Sequence, residues 1–235
     1  KAAKHGKHII CEKPTSVSIK SAKKIIKESR KNHIQIAENF AFRYNSQQQK
    51  VVEIIKNNSI GEISSFYGNY SFNLNVPQNN FRLNKKLGGG VLNDVAGYLI
   101  SASKLIFNEN PTSVFCDLEY EKGIDVKGDI HMKYHKKSAI CSFSYKNYFQ
   151  SFYKIFGKNG IIKVEQPFNL RNNMKGKINI EKENGVKKIS VKAEDKFQVL
   201  TEIFCNQINN SKLKRINFEK ELLDQAKIMD AIRKS

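Results

Sequence analysis

The sequence predicts an α/β unit followed by a larger α+β unit: a short strand–helix–strand–helix segment, then a mostly antiparallel open β-sheet with helices on one face. Three observations carry this reading. Within residues 1–60, short apolar runs alternate with amphipathic helical stretches, which is the organisation of a parallel sheet with crossover helices. From Ile63 onward, aromatic and β-branched residues alternate with polar ones over short runs separated by glycine and asparagine turns. Two amphipathic stretches then close the chain.

The elements follow in order. Ile9-Ile10-Cys11, bounded by Gly6 and Pro14, is too short for a helix and reads as the end of a buried parallel strand. Glu12-Lys13-Pro14 therefore stands at a strand's carboxyl end, the edge at which open α/β sheets bind ligands. Residues 17–31 place Val17, Ile19, Ala22, Ile25 and Ile26 at helical spacing, with lysines opposite and Ser16 or Ser18 as the N-cap. A strand is expected at 34–38 and a helix from 46 to 57, with Val51, Val52, Ile54 and Ile55 on its apolar side. The boundary between the units is placed after residue 60, giving 1–60 and 61–235. A strand at 64–74, a loop at 75–87 containing Pro77, and a largely buried helix from Gly90 to Phe107 come next. Strands are expected at 113–121, 125–135, 138–147, 150–157 and 160–165. Those at 177–182 and 186–192 flank Asn184-Gly185, a hairpin turn signal. Helices at 194–209 and 218–234 end the chain.

Composition narrows the function. The 235 residues are 40% hydrophobic and include 15 phenylalanines, enough for one large core or two small ones. The longest apolar runs fall far short of a bilayer span, and the start Lys-Ala-Ala-Lys-His has no apolar leader, so a cytoplasmic protein without membrane contact is expected. Four widely spaced cysteines, Cys11, Cys116, Cys141 and Cys205, read as reduced, buried thiols rather than a disulfide framework. The net charge of +19 raises nucleic-acid binding. The lysines are scattered, however, and no nucleic-acid motif accompanies them, so no nucleic-acid partner is expected; a basic surface would help to collect an anionic substrate. His131 and His135 have metal-ligand spacing only on a helix. They lie in an alternating segment, where side chains four apart are separated by roughly 13 Å, so no metal site is expected.

The chemistry concentrates in two stretches. One is Glu12-Lys13-Pro14. The other is residues 81–98, Phe-Arg-Leu-Asn-Lys-Lys-Leu-Gly-Gly-Gly-Val-Leu-Asn-Asp-Val-Ala-Gly-Tyr, where a glycine triplet opens a helix carrying Asp94 and Tyr98. Four residues apart, these two share a helix face. A tyrosine of pKa about 10 is a poor base at neutral pH, and a nearby ammonium such as Lys13 is expected to lower it.

Together the two stretches resemble the glucose–fructose oxidoreductase / inositol dehydrogenase (Gfo/Idh/MocA) family, in its tyrosine-bearing xylose and dihydrodiol dehydrogenase branch. Residues 3–10, 37–44 (Ala-Glu-Asn-Phe-Ala-Phe-Arg-Tyr) and 229–235 are similar to further family segments. The resemblance implies NAD(P)-dependent hydride transfer at the CH–OH group of a sugar, polyol or nucleotide sugar. It implies catalytic roles for Lys13, Asp94 and Tyr98, and cofactor contacts from Glu12, Lys13, Asn39, Phe81 and Arg82 to NAD or NADP. Arg43 and Tyr44 are placed in the substrate pocket wall. It also implies that the open sheet face serves as a homo-dimer or tetramer interface. Family members begin with a Rossmann half bearing a glycine-rich phosphate loop. No Gly-x-Gly-x-x-Gly occurs here, so residues 1–60 read as the remnant of a Rossmann domain in an N-terminally incomplete chain. A non-catalytic assembly or binding domain of the same fold is the alternative.

Overall fold

The computed structural model describes residues 1–210 and 216–235. Strands β1 (Ile9–Cys11) and β2 (Ile36–Glu38) pair in parallel, with Cys11 opposite Glu38. Helix α1 (Ile19–Lys31) joins them. It starts two residues later than the apolar spacing suggests because Ser18 is its cap, accepting the Ser21 backbone N–H. Helix α2 (Ser46–Lys56) is capped by Asn45 and buries Gln47, Gln48, Val51 and Ile54. The two buried amides are satisfied by the large sheet: Gln47 donates to the carbonyls of Glu165 (2.9 Å) and Lys177 (3.1 Å), and Gln48 accepts the Tyr153 hydroxyl (2.6 Å).

That sheet has eight strands: β3 (Ile63–Asn73), β4 (Ser113–Glu121), β5 (Ile124–Lys133), β6 (Ser138–Ser144), β7 (Lys146–Gly157), β8 (Gly160–Glu165), β9 (Gly176–Lys182) and β10 (Gly185–Val191). The spatial order is β10-β9-β8-β7-β3-β6-β5-β4, antiparallel throughout except for the parallel pairing of β3 with β6. The period of two decides which side is buried. On β5, Ile124, Val126, Ile130 and Met132 face the core while Lys127, Asp129 and His131 face out. Helix α3 (Gly97–Phe107) lies across the inner face, with Leu99, Ile100, Ala102 and Ile106 packed on Phe66, Ile130 and Tyr153. Helix α5 (Phe218–Ile232) touches α3 and β4, while helix α4 (Lys196–Asn209) packs on the turn at 41–44. Helix α5 returns to the first unit and packs on α1 and β2.

Three local expectations are corrected. The helix from Gly90 is not uniform: Leu92–Ala96 forms a wider π-helical turn before α3 begins at Gly97. The segment expected as a plain loop holds two single 3-10 turns, Phe81–Leu83 and Lys85–Leu87, started by the side chains of Asn80 and Asn84. The four cysteines are unbridged, but only Cys141 is fully buried, and Cys205 is exposed on α4. His131 points outward on β5, and His135 lies beyond that strand, beside Glu109. Among the described residues, no helix is long and apolar enough to cross a membrane.

Candidate active site

The turn after β1 and the start of the glycine-led helix meet over one cavity of about 470 Å³. Glu12, Lys13, Phe81, Arg82, Asp94 and Tyr98 line it, joined by Tyr70 and Phe72 from β3. The glycine triplet makes this possible through packing. Gly90 has φ +109, and a Cβ there would lie 2.1 Å from Asp125 Oδ1. Asp125 in turn accepts the Leu92 N–H at 2.6 Å, supplying the cap that this helix start otherwise lacks. The Gly90 N–H donates to the Arg82 carbonyl at 2.9 Å, so the segment carrying Phe81 and Arg82 is tied to the helix start. A Cβ on Gly89 would come within 2.5 Å of the same carbonyl.

Asp94 is the electrostatic hub. Lys13 Nζ donates to Asp94 Oδ1 at 3.0 Å and to the Asp94 backbone carbonyl, while Arg82 Nε donates to Oδ2 at 2.7 Å. The Tyr145 hydroxyl also donates to Oδ2, at 3.0 Å. Burial opposes ionisation of the carboxyl, but the Lys13 charge and the Arg82 and Lys13 hydrogen bonds outweigh it and hold the group below the usual carboxylate range. Asp94 is thus an anion with both oxygens engaged, not a group ready to take up a proton.

Tyr98 has the opposite environment. Its ring sits among Phe40, Phe42, Tyr70 and Phe168, with centroids 5.6–5.7 Å away. Lys13 Nζ lies over the ring face, 4.9 Å from its centroid, as a cation–π contact. Burial, then Tyr70 and the Asp94 charge, push the phenol well above its ordinary pKa. The expectation that Lys13 lowers this pKa is therefore reversed: the ammonium's charge is absorbed by Asp94 and presented to the ring. No hydrogen bond engages the Tyr98 hydroxyl among the described residues, which leaves it available within the cavity.

Asn39 stands beside this site. Its Nδ2 donates to Glu12 Oε1, while its Oδ1 is buried without a partner among the described residues. A buried acceptor lacking a donor fits a ligand that offers an amide N–H or a hydroxyl. Arg82 is about one-third exposed at the rim beside Phe81, a cation suited to an anionic ligand. The residues present thus fit a nicotinamide cofactor.

Arg43 and Tyr44 do not line the cavity. Arg43 donates to Ser101 Oγ and Glu221 Oε1, both at 3.0 Å, and the Tyr44 hydroxyl donates to Glu221 Oε2 at 3.0 Å. The single turn Ala41–Tyr44 directs both side chains at α3 and α5, where Glu221 is the nearest counter-charge. They tie the elements behind the site. Sequence reasoning missed Tyr70, Phe72 and Tyr145, which reach the site from strands remote in sequence. The alternation of β3 signalled that Tyr70 and Phe72 share a face but not that this face meets Tyr98.

The chain is 25% identical over 236 residues to the dTDP-3,4-didehydro-2,6-dideoxy-alpha-D-glucose 3-reductase of Actinomadura kijaniata, covering 99% of this chain and 70% of that protein. The enzyme of the same name from Saccharopolyspora spinosa is 24% identical, over 88% of this chain and 63% of its own length. A D-xylose 1-dehydrogenase (NADP(+)) of Haloferax volcanii is 22% identical across the chain and is covered over 72% of its length. In fold, the chain matches a 3-ketoreductase from Actinomadura kijaniata, solved with NADP and TDP-benzene, with a TM-score of 0.92 at 24% identity, over 99% of this chain and 72% of that one. Residues 48–163 match the family model described as the GFO/IDH/MocA C-terminal domain, and the chain belongs to the Gfo/Idh/MocA family of oxidoreductases.

Proposed function

We propose that this chain carries the substrate side and part of the cofactor side of an NAD(P)-dependent oxidoreductase acting on the CH–OH or C=O group of a sugar-like substrate. The reading is carried by the convergence of Lys13, Asp94 and Tyr98 on one cavity that the Arg82 cation also lines, with the buried, unpartnered Asn39 oxygen beside it next to Glu12. The named relatives support it, because they are nucleotide-sugar 3-reductases and a xylose dehydrogenase. Residues 1–60 form the end of the dinucleotide-binding unit, and 61–235 the substrate unit. Glu12, Asn39, Phe81 and Arg82 would hold NAD or NADP, which supplies the hydride when bound.

The chain's own residues manage charge and protons. A substrate oxygen seated in the cavity meets the Lys13 ammonium and the neutral Tyr98 hydroxyl. Tyr98 gives a proton to that oxygen as a carbonyl is reduced and takes one back in oxidation. Lys13 stabilises the negative charge that develops there, and Asp94 fixes Lys13 in place. The site is cytoplasmic and works in an oligomer assembled through the outer sheet face. There Phe115, His131, Ile140, Tyr67 and Lys154 follow one another across neighbouring strands, and Phe115 is 62% exposed.

The test uses the full-length protein with NADPH and a dTDP-linked keto sugar, and in the other direction NADP with D-xylose. Turnover of at least one pair, lost in Lys13→Met while NADPH binding by fluorescence persists, is the expected result. Equal turnover of wild type and Lys13→Met would remove the assignment.

A further inference from the structure

Tyr145 occupies the junction of β6 and β7 and is 2% exposed. Its backbone is held on both sides: its N–H donates to the Val126 carbonyl at 2.8 Å, and its carbonyl accepts the Leu74 N–H at 2.9 Å. Its ring rests against Phe72, with centroids 5.5 Å apart. The side chain thus has almost no freedom, and its hydroxyl is delivered to a fixed point. Two acceptors lie there, Asp94 Oδ2 at 3.0 Å and the Gly90 carbonyl at 3.4 Å. A phenol has one hydrogen to give, and the nearer, charged oxygen takes it. Asp94 then divides its carboxylate: Oδ1 faces Lys13, and Oδ2 faces Tyr145 and Arg82. Of the two groups on Oδ2, Arg82 reaches in from the partly exposed rim and must also serve the cofactor side, whereas Tyr145 comes from the sheet interior.

We propose that Tyr145 is a positioning residue for the reaction: from the rigid sheet it fixes the rotation of the Asp94 carboxylate, and through it the placement of the Lys13 ammonium at the substrate oxygen. This rests on the assignment of Lys13 and Asp94 above. A buried donor anchored between two strands of the sheet suits the task better than a residue of the partly exposed rim, because sites built on rigid elements hold their geometry more precisely. Through Asp94 it also connects the β-sheet unit to the turn after β1, so that the lysine is set by both units at once.

The experiment is a double-mutant cycle in the full-length protein, with NADPH and a dTDP-linked keto sugar, or NADP with D-xylose where that is the active pair. Tyr145→Phe keeps the ring and removes the donor. It is expected to lower kcat about tenfold while changing KM and NADPH affinity less than twofold. Asp94→Asn should lower kcat further, and the double variant should be no slower than Asp94→Asn alone, because Tyr145 acts only through that carboxylate. Losses that multiply would overturn the proposal while leaving the roles of Lys13 and Asp94 standing. An Asp94→Asn enzyme of normal kcat would overturn both. Should Tyr145→Phe not fold, 3-fluorotyrosine placed at position 145 retains the hydroxyl, and its fluorine signal is expected to shift when Asp94→Asn is introduced. An unmoved signal counts against the contact.

Discussion

The ammonium of Lys13 lies over the face of the Tyr98 ring, 4.9 Å from its centre, and spends its hydrogen bonds on Asp94. A cation at a phenol's oxygen would favour the phenolate. A cation on the ring face, with a carboxylate close by and an apolar cage around the ring, leaves the neutral phenol favoured.

The pH dependence follows in sign. Because the phenol pKa is raised, Tyr98 stays protonated throughout the neutral range and is always competent to donate. Reduction should be nearly flat from about pH 6 to 9. Oxidation needs the scarce phenolate and should rise roughly tenfold per pH unit over the same interval. Initial rates in both directions measure this; an oxidation rate that levels off near pH 7 would show that the base is another group.

Tyr98→Phe removes one hydroxyl from a cage of rings that does not otherwise depend on it. Turnover is expected to fall by about 10²–10⁴-fold with Tm and NADPH affinity unchanged. Combined with Lys13→Met, the loss should be far smaller than the product of the two single losses, since both groups serve one proton transfer. Near-normal turnover of Tyr98→Phe at its optimum pH would make the tyrosine a packing residue.

Arg43 and Tyr44 converge on Glu221 from the turn behind the site. Arg43→Ala should therefore cost stability, about 2 kcal/mol from the lost charged hydrogen bonds, or roughly 5 °C in Tm. KM for the substrate should stay within twofold. A large rise in KM with unchanged Tm would return Arg43 to the pocket wall.

Glu38 accepts the Thr15 N–H at 2.8 Å in the turn that follows Lys13, and burial pushes its carboxyl up to about 7, against the opposing pull of that N–H, Lys104, Arg43 and Lys13. An acid whose folded pKa exceeds its unfolded value binds its proton more tightly when folded. Its contribution is complete below the unfolded value of 4.5 and is lost as pH rises through about 7. Glu38→Gln keeps an acceptor for Thr15 and cannot ionise, so its unfolding free energy should fall less than the wild type's between those limits. Denaturation curves at several pH values check this, and parallel pH profiles would refute it.

Much of the fold was legible because burial imposes periods that sequence displays. The outward lysines of β5 and the capped, amphipathic α1 both announce themselves. The candidate site was legible in part, through two local clusters: Glu12-Lys13 at a strand end, and Asp94 with Tyr98 behind a glycine triplet. What lay beyond reach depended on assembly. Tyr145 joins Asp94 across 51 residues, and nothing in its neighbours marks it. Arg43 and Tyr44 read as pocket residues through the family resemblance of their segment, yet the single turn Ala41–Tyr44 directs them to Ser101 and Glu221. The π-helical turn at Leu92–Ala96 leaves no residue signature either; it holds Asp94, whose partners come from three other segments.

Helix α5 packs on α1 and β2, Phe218 sits against Phe204 and Ala37, and Arg30 pairs with Glu219 at 2.7 Å. Strands β1 and β2 therefore wait during synthesis for a helix made long after them before this part of their apolar face is covered. Lys13 meets its partner Asp94 only 81 residues later, while the antiparallel hairpins that follow can form as they emerge. Lys13 is thus made long before the contacts that hold it, so a product that stops before α5 would carry Lys13, Asp94 and Tyr98 without the helix that packs on β2.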